Sequence, residues 1–270
     1  MSIVIPVSVE WLTLREDVDA RARSTALAAR AASMVQGPVT VHDLGSGTGS
    51  MMRWLAPQLP GPQTWVLHDW NEQLLSHAAK DAVVDGGGAP AEVRTSATDL
   101  GLLREDALDG ASLVTTSALL DVLARDELEA VVRACVSAGA PALMALSVTG
   151  RVDLDPVGAG DRVFEQAFND HQRRDNGGRR HLGPNAVGVV AELFRGAGWH
   201  VEIAETPWLL GPDDRALTEQ WLAEWLAAAV DERPALEEWA DEYGRKRVEQ
   251  LALGTLRVTV HHQDLLVWPA

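Results

Sequence analysis

The sequence has very little cysteine, tyrosine or phenylalanine, and it has no long hydrophobic segment. Of its 270 residues, one is Cys, one is Tyr and three are Phe. The single cysteine, Cys135, excludes an internal disulfide, lies among small apolar residues typical of a core, and suits a reducing compartment. No run approaches the ~18 apolar residues of a membrane helix, and the N-terminus lacks a signal-peptide pattern. We therefore expect a cytoplasmic protein without a membrane segment.

An excess of positive charge is also missing. Asp and Glu number 39 against 23 Lys and Arg, and the net charge is -16. A surface of this charge does not neutralise phosphates, so nucleic acids and anionic membranes are poor candidate partners. A small molecule is the expected ligand. The length suits a single domain over residues 1–270, as a monomer or a homodimer.

The most informative stretch is VTVHDLGSGTG at residues 39–49. Its apolar, β-branched start predicts a short buried strand. The strand is followed by glycines at alternate positions, Gly45, Gly47 and Gly49, which predict a loop where the backbone comes close to a ligand. A helix starting at residue 50 would direct its free N–H groups and positive dipole end toward the same loop.

The residues around the glycines narrow the choice of ligand. Ser50 stands where the dinucleotide fingerprint Gly-x-Gly-x-x-Gly requires its third glycine. Asp43 precedes the loop, and a carboxylate there suits a cationic or hydroxyl-bearing ligand better than a pyrophosphate. Asp43 followed by Gly45, Gly47 and Gly49 resembles the first motif of the class I S-adenosylmethionine-dependent methyltransferases.

The order of predicted elements indicates an α/β fold, with an open, mostly parallel sheet and helices on both faces. The methyltransferase resemblance covers residues 36–150 in motifs and 185–270 in topology, and it implies seven strands with the last antiparallel. Three segments would be added to this sheet. They are an N-terminal helical cap at 1–36, an acceptor-side insertion at 149–184 and a helical insertion at 212–252.

Two aspartates follow the next strands. Asp69 ends the second predicted strand, where a carboxylate can accept both hydroxyls of a ribose. The alternative is a helix N-cap, for which Asn71 is equally suited, and Asp69 would also suit NAD. Asp99 follows the third strand, and the resemblance implies that it accepts from the adenine amino group, although a turn-capping aspartate is the alternative.

The resemblance also implies that the N-terminal helix covers the cofactor cleft, whereas the alternative is a surface helix at the sheet edge. The residues predicted to bind S-adenosylmethionine are Trp11, Arg15, Asp43, Gly45, Ser46, Gly47, Gly49, Asp69, Trp70, Asn71, Thr98, Asp99, Leu100, Thr116 and Ser117.

Segment 149–184 is irregular and concentrates arginine and histidine within an acidic protein. It is either a solvated arginine cluster or a lid over the acceptor. In the lid, Arg173 and Arg174 would hold an anionic group of the acceptor, and His171 or His181 would take a proton.

Asp121, after the fourth strand, is a third candidate base, and a structural carboxylate is an equally good interpretation. Tryptophan is abundant, with 10 residues. Trp221 and Trp225 share one apolar helix face, which favours a core or subunit contact over a cofactor cage. Trp208 belongs to the same neighbourhood and is predicted to contact the acceptor.

No metal site is predicted, because the adjacent His261 and His262 point to opposite faces of a strand. The favoured function is methyl transfer to a small-molecule acceptor, anionic if the arginines bind it, as in secondary metabolism. A nicotinamide-dependent oxidoreductase is the alternative, opposed by Ser50 and Asp43. A third hypothesis is a non-catalytic nucleoside-binding protein that contacts a partner through its tryptophan-bearing helices.

Overall fold

The computed structural model describes residues 7–270 of the chain, apart from the side chain of Asn176. The helices are α1 (Val9–Ala22), α2 (Thr25–Met34), α3 (Ser50–Leu55), α4 (Glu72–Ala78), α5 (Arg125–Ala138), α6 (Asp161–Gln172), α7 (Ala186–Gly196), α8 (Arg215–Glu232) and α9 (Glu237–Ala252). The strands are β1 (Val39–Leu44), β2 (Gln63–Asp69), β3 (Glu92–Ala97), β4 (Leu113–Ser117), β5 (Ala142–Asp155), β6 (Asp175–Asn176), β7 (Arg179–Arg180), β8 (His200–Glu205), β9 (Trp208–Leu210) and β10 (Arg257–Trp268). None of the helices in 7–270 has the length and hydrophobicity needed to cross a membrane.

The main sheet has the strand order β3-β2-β1-β4-β5-β10-β8. Strands β1 to β5 pair in parallel, whereas β10 runs antiparallel to both β5 and β8. The predicted seven-stranded, mostly parallel sheet with an antiparallel last strand is confirmed, and the short β9 adds an eighth strand beside β10. The carboxyl ends of β1, β2, β4 and β5 therefore share one edge, where ligands bind in open α/β sheets.

Apolar residues cover both faces of the sheet, because successive side chains of a strand point in opposite directions. One face of the sheet is covered by α2, α3 and α4, and the other by α5 and α7, with a buried core beneath each. The sequences of the central strands are therefore nearly continuous apolar runs. The first core includes Leu27, Val41, Met51, Leu75, Leu113 and Leu143, and the second includes Leu44, Val114, Val131, Met144 and Val190.

The N-terminal cap consists of two helices, and residues 1–6 of the segment lie outside the described part of the chain. The break falls at Arg23 and Ser24, because Arg23 turns inward and the Ser24 side chain caps α2 by accepting from the Leu27 amide at 3.2 Å. The Ser24 amide in turn donates to the buried carboxylate of Asp264 at 2.8 Å. This contact fixes the entry of α2 against β10.

The segment predicted as irregular, 149–184, is more regular than its glycines suggest. Strand β5 continues to Asp155, because β10 pairs with it from Val267 opposite Ala142 to Arg257 opposite Asp155. Helix α6 and the β6–β7 hairpin follow. The segment therefore packs on the end of the sheet and does not form a loose loop.

The helical insertion at 212–252 packs against α6 through aromatic side chains. The rings of Trp221 and Trp225 stack with centroids 5.3 Å apart, and Phe164 lies 4.7 Å from Tyr243. Trp225 is 1% exposed. The tryptophan face is therefore core, which was one of the two interpretations that the sequence favoured.

A buried ion pair ties α9 to α6. The Arg247 guanidinium contacts the Asp161 carboxylate, which also accepts from Tyr243 Oη at 2.6 Å, and both charged groups are buried. Removing one member of such a pair leaves an uncompensated buried charge.

Replacing Asp161 with alanine should lower the free energy of unfolding by about 3–5 kcal/mol, because Arg247 and Tyr243 both lose their partner. Urea unfolding followed by tryptophan fluorescence would measure the change. The exposed Asp241→Ala on α9 is the control and should stay within about 0.5 kcal/mol of the wild type. A loss below about 1 kcal/mol for Asp161→Ala would show that the pair does not stabilise the insertion.

Candidate functional site

The glycine loop after β1 has a backbone that only glycine adopts without strain. Gly45, Gly47 and Gly49 have φ angles of 65°, 54° and 84°. A Cβ on Gly45 would lie 2.7 Å from Cδ1 of Leu119, and one on Gly47 would lie 3.1 Å from Cδ1 of Leu12. The loop is thus closed in by the segment after β4 on one side and by α1 on the other.

Asp69 holds the loop against the end of β2. Its Oδ2 accepts from the Gly47 amide and its Oδ1 from the Asn71 amide, each at 2.9 Å. The Ser46 amide donates to the His68 carbonyl at 3.0 Å. Burial raises the pKa of Asp69 despite these backbone donors. Each carboxylate oxygen keeps a free lone pair, so the group can still accept from a ligand.

Two neighbouring residues that were predicted to bind the cofactor, Asn71 and Asp99, cap the start of a helix or turn. Asn71 caps α4, because its Oδ1 accepts from the Gln73 amide at 3.0 Å and the Leu74 amide at 3.4 Å. Asp99 is exposed and caps the next turn through the Gly101 amide at 3.0 Å. The capping alternatives are thus the roles seen for Asn71 and Asp99, and their contacts with a cofactor stay predictions.

Three further predicted residues lie around this edge of the sheet. Trp70 is 48% exposed beside Asp69, while Leu100 is buried. Thr98 Oγ1 lies 3.2 Å from Nδ1 of the buried His68. Trp70, Thr98 and Leu100 therefore follow β2 and β3 at the same edge as the glycine loop.

Asp43 is buried at the end of β1 with half of its carboxylate unsatisfied. Its Oδ1 accepts from Thr115 Oγ1 at 2.8 Å across the β1–β4 pair, and its Oδ2 has no partner among the described residues. Burial raises the pKa of Asp43 to about 7. A buried acceptor without a donor is unfavourable. This oxygen is therefore positioned to accept from a bound ligand.

Arg23 is a site residue that the sequence analysis missed. Its side chain is 2% exposed, and Nη2 donates to the hydroxyls of Ser50 and Ser117, each at 3.0 Å. Burial lowers the pKa of Arg23, and its Nε has no partner in the part of the chain that the structure describes. The Arg23 guanidinium therefore lies buried at the start of α3, without an ion pair among the described residues. Its only sequence signal was the Arg-Ser break between two helices.

The β4 residues predicted to bind the cofactor lie on different faces of the sheet. Ser117 shares the α2/α3 face with Asp43 and Arg23, since alternate residues of a strand point the same way. Thr116 points to the α5/α7 face, and its buried Oγ1 lacks a partner among the described residues. Only Ser117 is in contact with the Arg23 group.

The N-terminal helix α1 brings Arg15 next to predicted acceptor residues. Arg15 forms a two-bond ion pair with Asp19 at 2.9 and 3.2 Å and lies over the Trp208 ring at 4.9 Å. Trp208 Nε1 donates to Asp19 at 3.0 Å, and its ring lies 5.2 Å from that of His262. Trp11 is half-buried against the same cluster.

Asp121 follows β4 in a short turn, two residues after the leucine that contacts the glycine loop. Its Oδ1 is buried without a partner among the described residues, and burial raises its pKa. The charge of Arg15 opposes this shift of the Asp121 pKa, whereas at His262 burial lowers the pKa and the charge of Arg15 adds to that effect. Arg15 therefore lies within electrostatic range of both Asp121 and His262.

The two predicted histidine bases are held by neighbours. His171 Nε2 lies 3.1 Å from Asp231 Oδ2, a largely exposed carboxylate. His181 pairs by its backbone with Ala124, and its Nε2 contacts the Arg179 guanidinium. Burial and this guanidinium lower the pKa of His181. His181 thus lies beside the segment after β4, while His171 lies toward α8.

Arg173, Arg174 and Arg179 of the insertion are engaged in ion pairs, whereas the exposed Arg180 donates at 3.0 Å to the Arg173 carbonyl. Arg173 pairs with Asp170 at 3.0 Å, and Arg174 pairs with Asp231. Arg179 forms two bonds of 2.8 Å to Glu127. The structure thus favours the interpretation as a charge-balanced arginine cluster. Among residues 7–270, no group of three or more His, Cys, Asp or Glu is arranged to hold a metal.

Comparison with known proteins identifies the fold. No family model and no curated protein matches the chain. The cyclopropane synthase MmaA2 from Mycobacterium tuberculosis has a TM-score of 0.53 at 13% identity, over 97% of this chain and 94% of that one. A cyclopropane-fatty-acyl-phospholipid synthase-like protein from Lactobacillus casei has a TM-score of 0.53 at 14% identity, with the same coverage. The YcgJ protein from Bacillus subtilis has 0.51 at 11%, over 90% and 98%. These similarities show the class I methyltransferase fold that the sequence resemblance implied.

The unpartnered Asp43 gives a prediction about pH. Its pKa of about 7 in the folded protein exceeds the ordinary 3.8. The folded chain therefore holds this proton more tightly than the unfolded chain, and stability falls as the pH rises from about 4 to 7. Asp43→Asn removes this loss and should be more stable than the wild type by roughly 2–4 kcal/mol at pH 8.

At pH 4 the difference should shrink below about 1 kcal/mol. Urea unfolding at the two pH values measures both numbers. The exposed Asp126→Asn is the control and should change stability by less than about 0.5 kcal/mol at either pH. An equal effect of Asp43→Asn at pH 4 and pH 8 would mean that the carboxylate is not destabilising when ionised.

Proposed function

We propose that this protein transfers a methyl group from S-adenosylmethionine to a small-molecule acceptor. The observation that supports this most strongly is the pair of buried, incompletely satisfied charges beside the glycine loop, Asp43 and Arg23. The amino acid part of S-adenosylmethionine carries one ammonium and one carboxylate. A carboxylate and a guanidinium at one end of a cleft match both charges.

The other groups at this edge fit the nucleoside part. Asp69 has free lone pairs for two ribose hydroxyls beyond its bonds to the backbone. Thr98, Asp99 and Leu100 follow β3 and would border the adenine, with Trp70 beside them. We assign the ammonium to Asp43 and the carboxylate to Arg23.

The competing functions lack such support. A dinucleotide would place its pyrophosphate near Asp43, where like charges repel. Ser50 occupies the position of the third glycine of the dinucleotide motif, and its hydroxyl accepts a hydrogen bond from Arg23. The partner-binding hypothesis relied on the tryptophan-bearing helices, but Trp221 and Trp225 are buried in the chain's own core and only Trp239 of α9 is 39% exposed.

The chain contributes mainly positioning. When bound, S-adenosylmethionine supplies an electrophilic methyl group on a positively charged sulfur. The glycine loop, Asp69 and Arg23 would fix the donor, and Leu12 and Trp11 of α1 would exclude water. Holding the reactants in position supplies most of the rate enhancement of such a displacement. Asp121, with its raised pKa and free Oδ1, is the group best placed to hold a proton from the acceptor.

The assignment of Arg23 is tested with two ligands. Arg23→Met should weaken S-adenosylhomocysteine binding at least tenfold, or about 1.4 kcal/mol, because the carboxylate loses its cation. Binding of methylthioadenosine, which lacks the amino acid part, should stay within about twofold of wild type. Isothermal titration calorimetry gives both affinities, and Arg30→Met, in the exposed ion pair with Glu202, is the control.

Asp69→Asn should weaken both ligands, because both carry the ribose. An equal loss of both ligands in Arg23→Met would contradict the carboxylate assignment. Failure of the wild-type protein to bind S-adenosylhomocysteine would refute the proposed function itself.

A further inference from the structure

Further unsatisfied polar atoms lie away from the glycine loop, on elements that meet where α6 and the segment after β4 both pack against the turn at 183–185. Buried acceptor oxygens without a partner in the described chain are Asp121 Oδ1, Asn169 Oδ1 and Gln172 Oε1. We call these three side chains the polar junction. None of them belongs to the residues assigned to the donor.

The polar junction is held together by three packed segments. Helix α6 contacts the turn at 183–185, and that turn contacts both β5 and the turn at 120–122 that carries Asp121. Asn169 and Pro184 meet over Gly150, where a Cβ would lie 2.7 Å from the proline ring and 2.8 Å from Asn169 Oδ1. Gln172 is one turn further along α6, with its Cβ 3.3 Å from the position of a Cβ on Gly183.

The chemistry of the polar junction is that of a hydrogen-bond acceptor. Asn169 Nδ2 donates to the Gly150 carbonyl at 2.7 Å, which fixes the amide so that Oδ1 is the free atom. Asp121, when ionised, offers only acceptor oxygens. A ligand that satisfies these atoms must bring N–H or O–H donors, since unpaired buried acceptors are unfavourable.

The polar junction itself favours a cation over an anion. Asp121 is its one ionisable side chain and has no ion pair among residues 7–270. Arg15, Arg173 and Arg179 are paired with Asp19, Asp170 and Glu127, while the exposed Arg180 donates to the Arg173 carbonyl. Any charge that the polar junction carries is therefore negative.

We infer that the polar junction recognises the acceptor and that the acceptor is a primary or secondary amine. This inference rests on the proposed function and replaces the anionic acceptor favoured by the arginine content of the sequence. An amine provides several N–H donors on one atom, whereas a hydroxyl provides one and a carboxylate none. In the reaction, Asp121 first takes one proton from the bound ammonium and so frees the nitrogen lone pair; this lone pair forms the bond to the methyl carbon, and the carbon–sulfur bond breaks with its electrons remaining on sulfur.

The test compares three ligands of similar size on the protein saturated with S-adenosylhomocysteine. Tryptophan fluorescence is titrated with n-butylamine, n-butanol and butyrate, because the Trp208 ring packs against Arg15, whose charge acts on Asp121. The amine should bind at least tenfold more tightly than the other two. An amine that binds no better than butanol or butyrate, including no binding of any of the three, overturns the inference.

Two variants test whether Asp121 and Asn169 cause the preference for the amine. Asp121→Asn should reduce the amine preference to within about threefold, and Asn169→Ala should weaken amine binding at least threefold. Asp241→Asn, at an exposed position of α9, is the matched control and should change neither value. Unchanged amine preference in both junction variants would also overturn the inference, and Asn169→Ala decides alone if Asp121→Asn does not fold.

The same experiment separates the two levels of the proposal. Saturation with S-adenosylhomocysteine is verified first by calorimetry on each variant. If that ligand binds and the amine preference is absent, methyl transfer stands and the acceptor class is wrong. If that ligand does not bind, the proposed function fails together with the inference.

Discussion

The hydrogen bond from the Gly47 amide to the Asp69 carboxylate is the contact on which the site depends. It joins the loop after β1 to the end of β2, at 2.9 Å, and the same carboxylate fixes the start of α4 through the Asn71 amide. Three glycines with positive φ make this path possible, because any side chain on Gly45 or Gly47 would meet Leu119 or Leu12. The loop thereby has one shape before any ligand arrives, which limits the ordering entropy that binding must overcome.

A fixed loop also explains why unfavourable groups persist beside it. Asp43 and Arg23 are both buried, and each has an atom without a partner among the described residues. Burial raises the pKa of Asp43 and lowers that of Arg23, and so favours the uncharged form of each group. Neither group is optimal for the stability of the ligand-free chain, since a buried charge is favourable only when it is well paired. Each becomes favourable when a ligand of opposite charge completes its coordination. Destabilising polar groups of this kind are expected at binding sites.

The sequence predicted the parts of this arrangement that depend on local pattern. The glycine loop and the mostly parallel α/β sheet follow from apolar periodicity, glycine spacing and turn signals within short windows, whereas the seven strands with the last antiparallel came from the methyltransferase resemblance. Arg23 was missed because its neighbours in the site, Ser50 and Ser117, are remote in the sequence. The sequence left open whether the arginines of segment 149–184 bind a ligand, because partners such as Glu127 of Arg179 and Asp231 of Arg174 are distant in the chain. Pairing between distant residues determines whether a charge is available, and no local pattern reports it.

The two halves of the site therefore have different physical origins. The proposed donor half combines the backbone of the glycine loop with Asp43 and Asp69, at strand ends whose positions the sheet determines, and with Arg23 between α1 and α2. The proposed acceptor half consists of side chains of α6 and the turn after β4, on elements that pack against the turn at 183–185. Arginine content alone suggests an anionic acceptor there, but ion pairs engage Arg173, Arg174 and Arg179, and Asp121 has no ion pair among the described residues. Specificity at such a site is set by the groups that stay unpaired after the chain has folded, since those groups gain the most from a complementary ligand and lose the most from a wrong one.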